Sequence, residues 1–196
     1  MSLKALSCDQ VARAFRKVHT DTGWLGRRVL RYREAPEGNA ILSYEPAGIR
    51  KISVVLSDKG FVELSVPWPP LILLGKGRDY YLWAAGSSRI SVNTNLAVAP
   101  LPNVGSGKIC FGKNEVPETH PSILSDDRKL IFATPFNADH ASERCHSEPQ
   151  DVRELLWKLA ADKVKKFPKS ELLLTSSTID DAWETIVEQR RCDSRF

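Results

Sequence analysis

A chain of 196 residues with 42% hydrophobic content can bury a core of its own and falls within the usual size of one domain, so residues 1–196 are read as a single unit with 190–196 as a frayed tail. The 28 basic and 24 acidic residues leave a formal charge of +4, a mixed surface that does not call for nucleic acid. The start Met1-Ser2-Leu3-Lys4-Ala5 lacks the pattern of a secretory signal, and the longest apolar run, Val66 to Leu74, is broken by three prolines and is far too short for a bilayer. A soluble, cytoplasmic protein without membrane association is expected. Cys8, Cys110, Cys145 and Cys192 show no CxxC spacing, which fits reduced thiols.

In chain order, Val11, Ala14, Phe15 and Val18 fall at helical spacing with Arg13, Arg16 and Lys17 turned outward, predicting a short first helix. After the turn-rich segment 34–39, four strand-like runs follow: Ala40–Tyr44, Ile49–Leu56, Phe61–Val66 and Asp79–Ala85. Gly, Pro or Asp bounds each, and no helix intervenes, so an antiparallel four-stranded meander is expected. Segment 97–112 is rich in Pro, Gly and Asn, with only Lys108–Phe111 locally strand-like; irregular segments of that length are usually functional. Ser147 ahead of Glu148, Pro149 and Gln150 reads as a capping box, opening a helix with an apolar stripe of Val152, Leu155, Leu156, Leu159, Val164 and Phe167, ended by Pro168. Thr178 and Asp181 open a last helix, with Ile179, Ala182, Trp183, Ile186 and Val187 on one face. The order is α+β: helix, meander, irregular loop, two helices.

The chemistry concentrates in 100–112. Pro102 and Asn103, then Gly107, then Ile109-Cys110-Phe111 resemble the active-site segment of ubiquitin-conjugating enzymes, where His-Pro-Asn precedes a glycine turn and an Ile-Cys-Leu-type cysteine. Pro69-Pro70-Leu71, Pro100 to Val104 and Cys110 to Gly112 are similar to the bacterial branch, the prokaryotic conjugating-enzyme family D that includes PRTRC system protein B. Two departures stand out. Leu101 occupies the histidine position, as expected of family D, and Asn103 precedes Cys110 by seven residues rather than the usual eight, so a trimmed loop is expected.

The resemblance implies a ubiquitin-conjugating-type fold in which Cys110 accepts a ubiquitin-like modifier from a ThiF-type activating enzyme docked near the first helix. A JAB-type or related isopeptidase is a further implied partner. Such chemistry needs a thiol that attacks an activated acyl group, stores it as a thioester and yields it to an amine. Asn103 is the candidate amide donor to the carbonyl oxygen on which charge gathers. Leu101, Pro102 and Gly107 would shape the loop, and Asp139 and His140 would approach from the segment before the long helix. No metal or organic cofactor is expected, since ATP is consumed at the preceding enzyme.

Simpler readings stand beside each of these. Cys110 on a short strand is by itself more often inert, and Asn103 could serve only its own turn. Gly105-Ser106-Gly107-Lys108 lacks phosphate-loop spacing, because Ile109 follows the lysine. His120, His140, Cys145 and His146 show no zinc spacing with Cys110. Trp68 reads as core, and Lys163, Lys165 and Lys166 as cations complementing a helix end. Two rival functions follow: a catalytically silent scaffold that binds a ubiquitin-like protein, and a thiol hydrolase with His140 or His120 as base.

Overall fold

A computed structural model describes residues 28–35, 38–56, 60–120, 131–132 and 134–188. The expected first helix and the expected tail lie outside them. Ten strands, two α-helices and a 3-10 turn at Lys169–Glu171 belong to the described fold, mostly antiparallel sheet: β1 (Val29–Arg33), β2 (Ala40–Glu45), β3 (Gly48–Leu56), β4 (Gly60–Trp68), β5 (Leu71–Lys76), β6 (Asp79–Ala85), β7 (Asn95–Val98), β8 (Val104–Gly105), β9 (Lys108–Ile109), α1 (Val152–Ala161), β10 (Leu174–Thr178) and α2 (Ile179–Ile186).

The main sheet runs β1-β2-β5-β6-β7-β10, with β9 also pairing β6. The four expected strands are present, but they do not form a consecutive meander. β3 and β4 leave the sheet as a separate hairpin, and β2 pairs instead with β5, Ala40 opposite Lys76 and Glu45 opposite Leu71. The cause lies in Leu71-Ile72-Leu73-Leu74, whose residues are all buried. Leu71 and Leu73 face a cluster with β3, β4 and α1, while Ile72 and Leu74 face one with Trp183 and Ile179 of α2. A strand covered on both faces shows no alternation of polar and apolar residues.

Each helix has a physical start and stop. Asp151, not Ser147, caps α1: its carboxylate accepts from the Arg153 backbone N–H and also grips the Arg153 guanidinium, which donates in turn to the Val55 carbonyl. Burial pushes Asp151 up, but the hydrogen bonds from Arg153 outweigh it and hold the carboxyl below its ordinary value. The backbone N–H of Ser147 is bonded instead to Glu171. α1 also stops sooner than its apolar stripe suggests. Lys163 takes a left-handed φ of 51°, and the amides of Lys163 and Val164 turn back to the carbonyls of Ala160 and Leu159, a Schellman closure that lacks the usual glycine. Phe167 still reaches the core, from the segment beyond the helix. α2 opens with the expected Thr178–Asp181 capping box. Trp68, as expected, is core, with Phe132 edge-on at 4.8 Å. No helix among the described residues is long and apolar enough to cross a membrane.

Candidate active site

After β7 the chain stays buried through Ala99, Leu101 and Pro102. Leu101, at the position where the motif would carry histidine, shares a buried cluster with Leu156 and Phe167, so the loop is anchored there by apolar packing. Asn103 then turns into the left-handed region at φ 61°, a conformation that asparagine tolerates better than most residues. β8 and β9 follow as a minimal hairpin with Val104 opposite Ile109 and Gly105 opposite Lys108.

The two connecting residues, Ser106 and Gly107, have φ values of 49° and 86°, both positive as a type I′ connection requires. Glycine is needed at 107 for a second reason: a Cβ there would come within 2.8 Å of the Trp83 indole. The hairpin is bolted to the main sheet where the Leu82 amide donates to the Gly107 carbonyl at 2.8 Å and Tyr81 pairs with Lys108. Lys108 also meets Asp79 at 2.8 Å, and that hydrogen bond holds its ammonium above the ordinary value. Both partners are half exposed, so the pair adds little stability.

This hairpin brings Asn103 and Cys110 together. The Cys110 amide donates to the Asn103 carbonyl at 2.8 Å, and Cys110 is solvent-exposed while Ile109 before it is buried. Residues 136–140 grip Asn103 from the other side. Its backbone N–H donates to the Asp139 carbonyl at 2.6 Å, and its Oδ1 accepts the backbone N–H of Asn137 at 3.3 Å. A backbone N–H can only donate, so the oxygen of the Asn103 amide is the atom held, and its NH2 is left with no partner among the described residues. Asn137 and Asp139 brace each other: the Asn137 amide donates to the Asp139 carboxylate at 2.9 Å, and the Asp139 N–H donates to Asn137 Oδ1 at 2.8 Å.

An open cleft of about 480 Å3 lies over the thiol, lined by Gly105, Ser106, Lys108, Cys110, His140 and Arg144 among others. The His140 ring rests on Gly105, where a Cβ would lie 2.8 Å from it. No hydrogen bond joins His140 to Cys110 among the described residues. Arg144 Nε donates to the His140 carbonyl at 2.9 Å; burial lowers this guanidinium, with Glu143 opposing, yet it remains a cation at any physiological pH. The cleft is therefore lined by cationic and neutral groups.

The structure thus draws Cys110, Asn103, Asp139 and His140 to one place. Pro102 and Leu101 lie buried behind Asn103, and Gly107 sits at the hairpin tip. His120 is not among the residues lining the cleft: it follows Thr119, whose amide is bonded to Gly77 at the β5–β6 turn. Sequence reasoning assigned no role to Asn137 or Arg144. The Asn-Ala-Asp spacing of an Asx turn was the available signal for the first, and nothing local marked the second. No group of three or more His, Cys, Asp or Glu among the described residues is arranged to hold a metal ion.

Comparison with curated proteins and with solved structures yields no match. A family model, in contrast, matches residues 3–175 and so covers the first described strand, the Asn103–Cys110 hairpin and α1. The chain belongs to prokaryotic E2 family D.

Proposed function

We propose that this protein is a ubiquitin-like-protein conjugating enzyme whose Cys110 thiol receives a modifier from a ThiF-type activating enzyme and passes it to an amine. The observation that carries this reading is the exposed Cys110 thiol, bonded through its own backbone to an asparagine whose side-chain oxygen is tethered and whose NH2 is unspent. In the first step the Cys110 thiolate attacks the activated C-terminal carbonyl of the modifier, and the activating enzyme's thiolate leaves. In the second, an acceptor amine adds to the thioester carbonyl. The oxyanion so formed is stabilised by the Asn103 NH2, the C–S bond breaks, the Cys110 thiolate departs, and the amine's proton passes to water in the open cleft. One fixed donor of this kind contributes about 3 kcal/mol in favourable cases. Cationic Arg144 beside the cleft favours the neutral, nucleophilic form of an incoming amine.

Two observations favour a transferase, the first over a hydrolase and the second over a silent scaffold. His140 is not hydrogen-bonded to Cys110, as the base of a thiol hydrolase would be. Asn103 is braced by Asn137 and Asp139 without any contribution from a histidine at position 101. The test is reconstitution with activating enzyme, modifier and ATP, read by intact mass. The expected result is an adduct of one modifier that thiol reductant removes, that Cys110→Ala cannot form, and that becomes reductant-resistant in Cys110→Ser. With partners verified to be active, absence of the adduct would mean a scaffold that only binds the modifier. Rapid release of free modifier, abolished in His140→Ala, would mean a hydrolase.

A further inference from the structure

A second cleft, of about 450 Å3, opens at the other end of β6. Cys110 follows Lys108, which pairs with Asp79 and Tyr81 at the start of that strand. This cleft instead meets the strand's last residue, Ala85, and the loop through Ser88. The length of β6 puts the two about 20 Å apart at ~3.3 Å per residue. The floor is apolar, made by Trp68, Pro70, Phe167 and Leu172, and the rim carries Lys165, Lys166 and Lys169. No acidic residue lines it.

The lysines are not explained by the helix before them. α1 ends at Ala161, with Asp162 as its cap, and the pull of a helix end on cations fades beyond its last turn. Nor are they spent on carboxylates. Lys108 and Lys158 each have an acidic partner, whereas Lys165, Lys166 and Lys169 have none among the described residues. An apolar floor inside a charged rim is the anatomy of a protein interface.

We propose that this cleft docks a short acidic segment of a partner protein, with an apolar side chain seated on the Trp68–Phe167–Leu172 floor and carboxylates meeting the three lysines. A small anion alone would gain little from solvated rim ammoniums, since each exposed pair is weak. A segment that also covers the floor adds apolar burial to the charge pairing, and the cleft's volume falls within the range of pockets that enclose a ligand group. A docked segment at this distance leaves the Cys110 cleft open, so its partner can remain bound while the thiol works.

The test uses isotope-labelled protein and a synthetic peptide with a tryptophan-leucine core flanked by glutamates, followed by amide chemical shifts. Saturable shifts are expected at Gly86, Ser88, Lys166 and Leu172, weakened about tenfold in the triple variant K165E/K166E/K169E, whose rate of Cys110 alkylation stays as in the wild type. If that variant does not fold, Lys169→Gln serves with a salt series, in which affinity falls as screening rises. No saturable shifts, equal binding of a peptide with lysines in place of the glutamates, or shifts mapping elsewhere would overturn the proposal. So would the same shifts from inorganic phosphate alone, which would mark a small-anion site.

Discussion

The two free cysteines among the described residues occupy neighbouring segments and opposite environments. Cys110 directly follows the two-residue strand β9, exposed, with its backbone tied to Asn103. Cys145 lies in the turns before α1, 1% exposed, with its thiol donating to the Glu148 carbonyl at 3.3 Å. Burial pushes the Cys145 thiol up, against that one hydrogen bond, and nearby Glu171, Glu148 and Asp151 add to the rise. A thiol held neutral and enclosed is a packing group, because the thiolate is the nucleophile. The contrast teaches that position in the fold, rather than residue type, decides which sulfur meets solvent: the hairpin paired to β6 leads out to one, and the turns before α1 bury the other.

Alkylation by iodoacetamide under native conditions should separate the two most widely. Cys110 is expected to react at least about a hundredfold faster than Cys145, whose modification needs local opening; peptide mapping over time reads this, and equal rates would erase the distinction. Next in size is the hairpin itself. Gly107→Ala puts a methyl against the Trp83 ring and forces an L side chain to φ 86°, so a loss of about 2–3 kcal/mol in chemical denaturation is expected. Asp151→Ala, on the Cys145 side, removes the cap of α1 and strands the buried Arg153 guanidinium. A loss of about 2 kcal/mol is expected at neutral pH. Because the folded-state carboxyl lies below its ordinary value, this contribution is present above the unfolded-state value near 4 and is lost as pH falls through the folded one. The difference between variant and wild type should therefore shrink in acid. The smallest effect belongs to Lys163→Gly, which relieves a left-handed residue at the end of α1 and should stabilise by about 1 kcal/mol.

What the amino-acid order revealed follows the same division. α2 was legible because its signals are local: Thr178 and Asp181 cap it, and its apolar face repeats at helical spacing. The Asn103–Cys110 segment was legible because its Pro, Gly and Asn content marks irregular backbone and its motif resembles the family's active-site segment; Asn103 and Gly107 do take positive φ. β5 was not, since burial on both faces removes the alternation that marks a strand. The end of α1 was hidden because a lysine stands where a glycine would have announced it. The clamp of Asn137 and Asp139 on Asn103 depends on contact between segments more than thirty residues apart, which no periodicity encodes. Asp139 and His140 were placed near the thiol on order in the chain alone, and Asn103 was read without the hydrogen bonds to Asn137 and Asp139 that hold it.

The most direct test of the account is the discharge of a preformed Cys110 thioester to free lysine in a single turnover, comparing wild type with Asn103→Ala. Loading should proceed in both, while the variant's discharge slows by about a hundredfold, the worth of one fixed donor to the oxyanion. Discharge at the wild-type rate, from a variant that folds and loads normally, would contradict the claim that Asn103 and Cys110 act as one unit.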